Sequence, residues 1–243
     1  MWYPGKAAFR AGQVVRQRWN NANIGNHSVA MGFDPVASGD SSFAVGSNAA
    51  ARGNHSVAIG SGARAEGNYS FALGRDAAAL DDGVVFLADS TGTPDGVVLG
   101  MPNTFFANFA GGYRLRSGSG GVRLSPGSGS WSMLSDVRQK ANFRDLDGES
   151  VLRRLAGIPI REWNYISQDA SIRHVGPMAQ DFRQAFGLGE DETTISSVDP
   201  DGISLRAIQA LDARTEKLRE ENDALRKELD ELRKTVERLL KNR

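Results

Sequence analysis

Gly25-Asn26-His27-Ser28-Val29-Ala30-Met31-Gly32 recurs as Gly39-Asp40-Ser41-Ser42-Phe43-Ala44-Val45-Gly46, then as Gly53-Asn54-His55-Ser56-Val57-Ala58-Ile59-Gly60 and as Gly67-Asn68-Tyr69-Ser70-Phe71-Ala72-Leu73-Gly74, each copy 14 residues after the last. Within every copy a large apolar residue, an alanine and a second large apolar residue alternate between bracketing glycines, and alternation at a period of two is the mark of a strand with unlike faces. Fourteen residues hold about two short strands and two tight turns, too few for a strand-helix-strand unit, so each copy is expected to form one coil of a β-solenoid. A lone coil cannot bury its bulky face. Stacked coils are expected to bury it, leaving the alanine ladder Ala30, Ala44, Ala58 and Ala72 as a close-approach surface for neighbouring chains. Asp81-Asp82-Gly83-Val84-Val85-Phe86-Leu87 reads as a degenerate last coil.

Around this repeat the composition divides the chain. Residues 1–134 hold 22 of the 28 glycines, while residues 135–243 hold 40 charged side chains, so a seam is expected near 134. The formal net charge is +0, which provides no basic field for a nucleic-acid backbone or an anionic membrane. With no cysteine there is neither a disulfide framework nor a thiolate metal site, and stability has to come from packing and association. Met1-Trp2-Tyr3-Pro4-Gly5-Lys6 shows no apolar core of signal-peptide length, and no stretch approaches the ~20 apolar residues of a membrane span.

Sharper readings of the head are set aside on spacing. His27 and His55 share a repeat position two coils apart, roughly 9–10 Å at sheet spacing, too far for one metal ion. Asn26, Asn54 and Asn68 begin Asn-X-Ser sequons, but Asn and Ser are what turns demand at those places. Residues 88–134 include Val97-Val98-Leu99, Asn103-Thr104-Phe105-Phe106-Ala107-Asn108-Phe109 and Gly/Ser-rich turns, expected to be short strands and a neck. No helix pattern follows these glycines, so a phosphate-cradling loop is not expected.

The repeats resemble the left-handed β-roll head of trimeric autotransporter adhesins, over roughly residues 25–87. From Ser135 onward, Ser135-Asp136-Val137-Arg138-Gln139-Lys140, Arg161-Glu162-Trp163-Asn164-Tyr165 and His174-Val175-Gly176-Pro177-Met178-Ala179-Gln180-Asp181-Phe182 precede a long helix. Together these resemble the auto-processing intramolecular chaperone at the C-termini of phage endosialidases, tail spikes and tail fibres. That resemblance implies a Ser-Lys dyad of Ser135 and Lys140 severing the Leu134–Ser135 bond once; His174 and Gln180 are candidate supporting groups that the sequence does not place, and no cofactor or metal is expected. A serine needs an adjacent base, and a lysine accepts a proton only when neutral, a state that desolvation or a nearby cation such as Arg138 favours. The opposing reading makes Ser-Asp an ordinary helix N-cap.

The last helix carries an apolar 3-4 repeat, with Ile208, Leu211, Leu218, Leu225, Leu229, Leu232, Val236 and Leu239 on the seam and Thr215 and Asn222 interrupting it at position a. Glu221 with Arg226 and Glu228 with Arg233 fall at g and the following e, which favours parallel chains. The expected architecture is therefore mainly β plus α: an N-terminal arm or cap over 1–24, a left-handed β-roll head over 25–87, a β-rich neck over 88–134, a small α+β chaperone domain over 135–202 and a parallel coiled coil over 203–243. The two resemblances imply a homotrimer at a bacterial surface or on a phage tail fibre, with an unidentified surface ligand. A clamp that never cleaves is the alternative. A glycan-cleaving enzyme is disfavoured, because the head shows no paired-carboxylate cleft.

Overall fold

The computed structural model describes residues 1–91 and 101–241, so the Val97-Val98-Leu99 run lies outside the described residues. Two compact units divide the chain, 1–140 and 141–243. In the first, each 14-residue copy forms one coil with two strands. Val29–Phe33, Phe43–Val45, Val57–Ile59, Phe71–Leu73 and Val85–Ala88 stack in parallel in one sheet, and Val36–Ala37, Ala50–Ala51, Arg64–Ala65 and Ala78–Ala79 in a second. Register is strict: Ala30 pairs with Ala44, Ala44 with Ala58, Ala58 with Ala72 and Ala72 with Phe86.

The polarity of the coil is the reverse of the sequence expectation. The ladder alanines are fully buried inside the chain's own solenoid, against Ala37, Ala51, Ala65 and Ala79 of the opposing sheet. The bulky residues Val29, Phe43, Val57, Phe71 and Val85 point outward and stay half-exposed, and Leu73 is exposed. The reason is steric. Between the middle coils the interior is filled by alanines and buried serines, and the larger residues of the first strands face out. Ser28, Ser42, Ser56 and Ser70 donate their hydroxyls at 2.6–2.7 Å to the carbonyls of Gly25, Gly39, Gly53 and Gly67, so these buried polar groups are satisfied within each turn.

Both ends of the stack are extended and plugged. At the start, Trp2–Tyr3 pairs antiparallel with Ala8–Gln13, which in turn lies parallel to Val29–Phe33 with Arg10 opposite Ala30. Arg10 thus takes the alanine position and is fully buried. Its guanidinium donates to the carbonyls of Phe9, Ser28 and Ala37 and to the Ser28 hydroxyl at 2.8–2.9 Å, and burial lowers its pKa. At the other end Phe86 fills the same position and stacks on Phe106 at 4.7 Å, where Phe105–Asn108 adds one more parallel strand. The antiparallel strands Tyr113–Ser117, Gly120–Leu124 and Trp131–Met133 follow as a separate three-stranded sheet.

In the second unit, helix α1 (Gly148–Ala156), the hairpin strands Arg161–Trp163 and His174–Gly176, helix α2 (Ala179–Phe186) and helix α3 (Val198–Lys241) enclose a small core of Val151, Ile158, Phe182, Ile203 and Ala207. The Asp147 carboxylate caps α1 by accepting from the Ser150 N–H at 2.9 Å. Gly148 lets α1 press onto α3, since a Cβ there would stand 2.6 Å from that of Ala210. Arg206 then donates to the Leu146 carbonyl at 2.8 Å, and Arg214 pairs with Glu149.

An interior lined by alanine sets the first test. Ala58→Leu forces a large side chain between two sheets with no space for it and is expected to destabilise the protein by about 1–3 kcal/mol in chemical unfolding. Wild-type stability in that variant would show that the interior is looser than its side chains indicate.

Candidate functional site

The neck ends in a strand, and the predicted cleavage position lies one residue past it. After Trp131–Met133, Leu134 donates its N–H to the Gly121 carbonyl at 3.4 Å as a last rung. The backbone then enters a single 3-10 turn, Val137–Gln139, capped by Asp136, whose carboxylate accepts from the Arg138 N–H at 2.9 Å. Asp136 is the cap, so Ser135 is free of that task. The turn brings residue 140 back over residue 135, and the Lys140 Nζ donates to the Ser135 Oγ at 2.7 Å.

The electrostatics around this pair differ from the sequence expectation. The Arg138 guanidinium lies 2.6 Å from Asp136 Oδ2, with its Nε 3.1 Å from both carboxylate oxygens. The Arg138 side chain and backbone N–H together hold the Asp136 carboxyl below its ordinary range, and the same pairing raises Arg138. Arg138 was expected to act on Lys140 as a neighbouring cation, but its charge is compensated by Asp136. Ser135 and Lys140 are also both exposed in the single chain. The two side chains are therefore in contact, on an exposed part of the single chain.

His174 and Gln180 belong to the second unit. His174 packs against Trp163 and Tyr165, with centroids 4.9 and 5.5 Å away, and its Nε2 lies 2.9 Å from Gln168 Oε1. Gln180, in the first turn of α2, lines a groove with Trp163, Tyr165, Ile166, Met178 and Thr194. The Trp163 indole N–H beside them is buried with no acceptor among the described residues. Sequence reading singled out neither Asp136 as a clamp nor Trp163 as an unsatisfied donor; the Asp-X-Arg spacing was the available signal for the first.

Along α3 the heptad seam is unpartnered. Ile208, Leu211, Leu218, Leu225, Leu229, Leu232, Val236 and Leu239 are all exposed, whereas Ile203, Ala207 and Ala210 on another face of the same helix are buried. A long helix with a bare leucine stripe is a surface for self-association. Among the described residues no helix is long and apolar enough to cross a membrane, and no cluster of three or more metal-ligating side chains occurs.

No curated protein matches the chain. Two family descriptions match parts of it: the YadA head domain repeat, in two copies over residues 24–49 and 51–77, and the chaperone of endosialidase over residues 135–188. The first covers the coils up to residue 77, and the second begins at the serine that Lys140 contacts. The chain thus carries a segment similar to YadA head repeats, within residues 24–77, and a second similar to the chaperone of endosialidase, over residues 135–188.

Proposed function

We propose that the protein is a homotrimeric, adhesin-like surface fibre whose C-terminal domain drives assembly and then releases itself by one cut between Leu134 and Ser135. The observation that carries the cleavage is the 2.7 Å contact between Lys140 Nζ and Ser135 Oγ, one peptide bond past the end of the neck sheet. In the reaction Ser135 Oγ attacks the Leu134 carbonyl carbon while Lys140 takes the hydroxyl proton. Lys140 then protonates the departing Ser135 amine, leaving Leu134 as an ester on Ser135 Oγ. Water hydrolyses the ester, and Ser135 becomes the N-terminus of the released domain. Asp136 positions the pair by fixing the turn and compensating Arg138.

Assembly supplies what the single chain lacks. Three α3 seams bury their leucines together, the outward apolar rows of the head pack between chains, and packing near residue 135 desolvates the lysine, which favours the neutral base. Cleavage then follows association rather than preceding it. A permanent, non-cleaving clamp is the second reading, and the exposure of both dyad residues favours it.

Intact mass spectrometry on fresh and aged protein separates the two. A fragment beginning at Ser135 is expected from wild type and from neither Ser135→Ala nor Lys140→Ala; full-length mass in every sample establishes the clamp. The ordering has its own test. Leu225→Asp with Leu232→Asp places charge in the seam and is expected to yield monomers that remain uncut, read by light scattering beside the mass spectrum. Monomers that cut at the wild-type rate would uncouple the chemistry from assembly.

A further inference from the structure

The three-stranded sheet of the neck has two unlike faces. Tyr113, Leu115, Val122, Leu124, Trp131 and Met133 alternate onto one, and Arg114, Arg116, Arg123 and Ser132 onto the other. Register places Arg114 directly opposite Arg123, with Arg116 opposite Gly121 and Ser132 beside Arg123. Like charges directly opposite one another destabilise a sheet, and from Met101 to Ser135 the chain has three arginines and no acidic residue. Among the described residues none of the three is in an ion pair or a side-chain hydrogen bond, unlike Arg138, which is held by Asp136. An open groove of about 330 Å³ has Arg114, Arg116, Gly121, Arg123, Ser132 and Leu134 among its lining residues. Neither matched family description reaches this segment.

We propose that the arginine face of the neck binds a linear anionic polysaccharide through its sulfate or carboxylate groups. When chains associate, the apolar face is the one that gains by burial, which leaves the arginines in water on the outside. Guanidinium forks match carboxylate and sulfate oxygens two at a time. Two arginines across a strand pair stand about 5 Å apart at Cβ, and two along one strand about 6.5 Å apart, so the face presents a short array of cations rather than a single site. A polymer with charged rings offers anions at spacings of that order. Nucleic acid fits less well, because its bases stack on aromatic rings and Tyr113 and Trp131 occupy the opposite face. A lipid surface fits less well too, since Leu115, Val122 and Met133, which also line the groove, alternate onto the opposite face of the sheet. Choosing a glycan rests on the surface-fibre reading above.

Full-length protein is passed over immobilised heparin, with chondroitin sulfate and a single-stranded DNA of equal charge as competitors in solution. Wild type is expected to be retained at physiological salt and displaced by either glycan before DNA. Binding is expected to fall about threefold for each of Arg114→Gln, Arg116→Gln and Arg123→Gln, and roughly thirtyfold for the triple variant. Arg64→Gln on the head is expected to change nothing, and the triple lysine variant to recover part of the binding. Thermal melting and light scattering establish that the variants fold and associate as wild type does. Associated wild-type protein that flows through overturns the inference while leaving the fibre reading standing, and so does a triple variant that binds as wild type. Preferential displacement by DNA overturns the choice of a glycan.

Discussion

Each coil of the head rises one strand spacing, about 4.8 Å, above the previous one, and that distance decides which residue can stand where. At Gly25, Gly39 and Gly53 a Cβ would lie 1.9 Å from the backbone oxygen of the glycine one coil on. The glycines recur because the next turn of chain occupies the space a side chain would need. The same closeness provides the order. Asn26 N–H donates to Asp40 Oδ1, Asp40 N–H to Asn54, Asn54 N–H to Asn68 and Asn68 N–H to Asp82, all at 2.7–3.0 Å. Each coil thus ties down the turn of the coil before it.

Between its middle coils, a solenoid built this tightly leaves no room inside for the large side chains of the first strands. Alanine methyls bury little apolar area apiece, so the interior alone gives modest stabilisation at about 25 cal/mol per Å², and the valines, phenylalanines and leucines sit half-exposed on the outer row. Their burial has to come from another chain. The leucine stripe of α3 makes the same demand at the other end of the sequence. The two surfaces differ in how quickly they can form. A heptad seam needs only two or three helices to meet in register, while parallel strands depend on contacts distant in sequence and are slow and aggregation-exposed. Placing the fast surface C-terminal to the slow one gives the head a template.

How much of this was legible follows from what repeats. The 14-residue period announced the coils, their register and their turns. It did not announce the direction of the faces, because alternation identifies two faces without saying which is inside; the number of alanines in the second strands, at 37, 51, 65 and 79, was the clue. The terminal strands were missed as members of the sheet for a related reason. Phe9 pairs with Val29 and Val85 with Phe105, twenty positions apart instead of fourteen, so a search at fixed period passes over them. Arg10 and Phe86 in the alanine position break the pattern further, and they do so because the end of a stack has no next coil to fill it. At the candidate site, sequence located Ser135 and Lys140 but not the clamp. A six-residue motif states which side chains are present, whereas the capping role passes from Ser135 to Asp136 only once the backbone is extended through both.

The position of the Leu134–Ser135 bond also makes physical sense of a cut. The strand pairings of the neck sheet, and the last rung from Leu134 N–H to Gly121, involve residues up to 134. Every bond of the Asp136 turn and the Ser135–Lys140 contact involves residues from 135 onward. Hydrolysis there leaves the named bonds of both sets intact. The head side retains its complete sheet, and the departing side retains both members of the pair. Under the proposed cleavage the head would lose the surface that brings its strands into register, and unfolding would no longer be followed by guided reassembly. Its persistence then depends on the height of the unfolding barrier rather than on an equilibrium, and that barrier rests on the same close stacking that forced the apolar side chains outward.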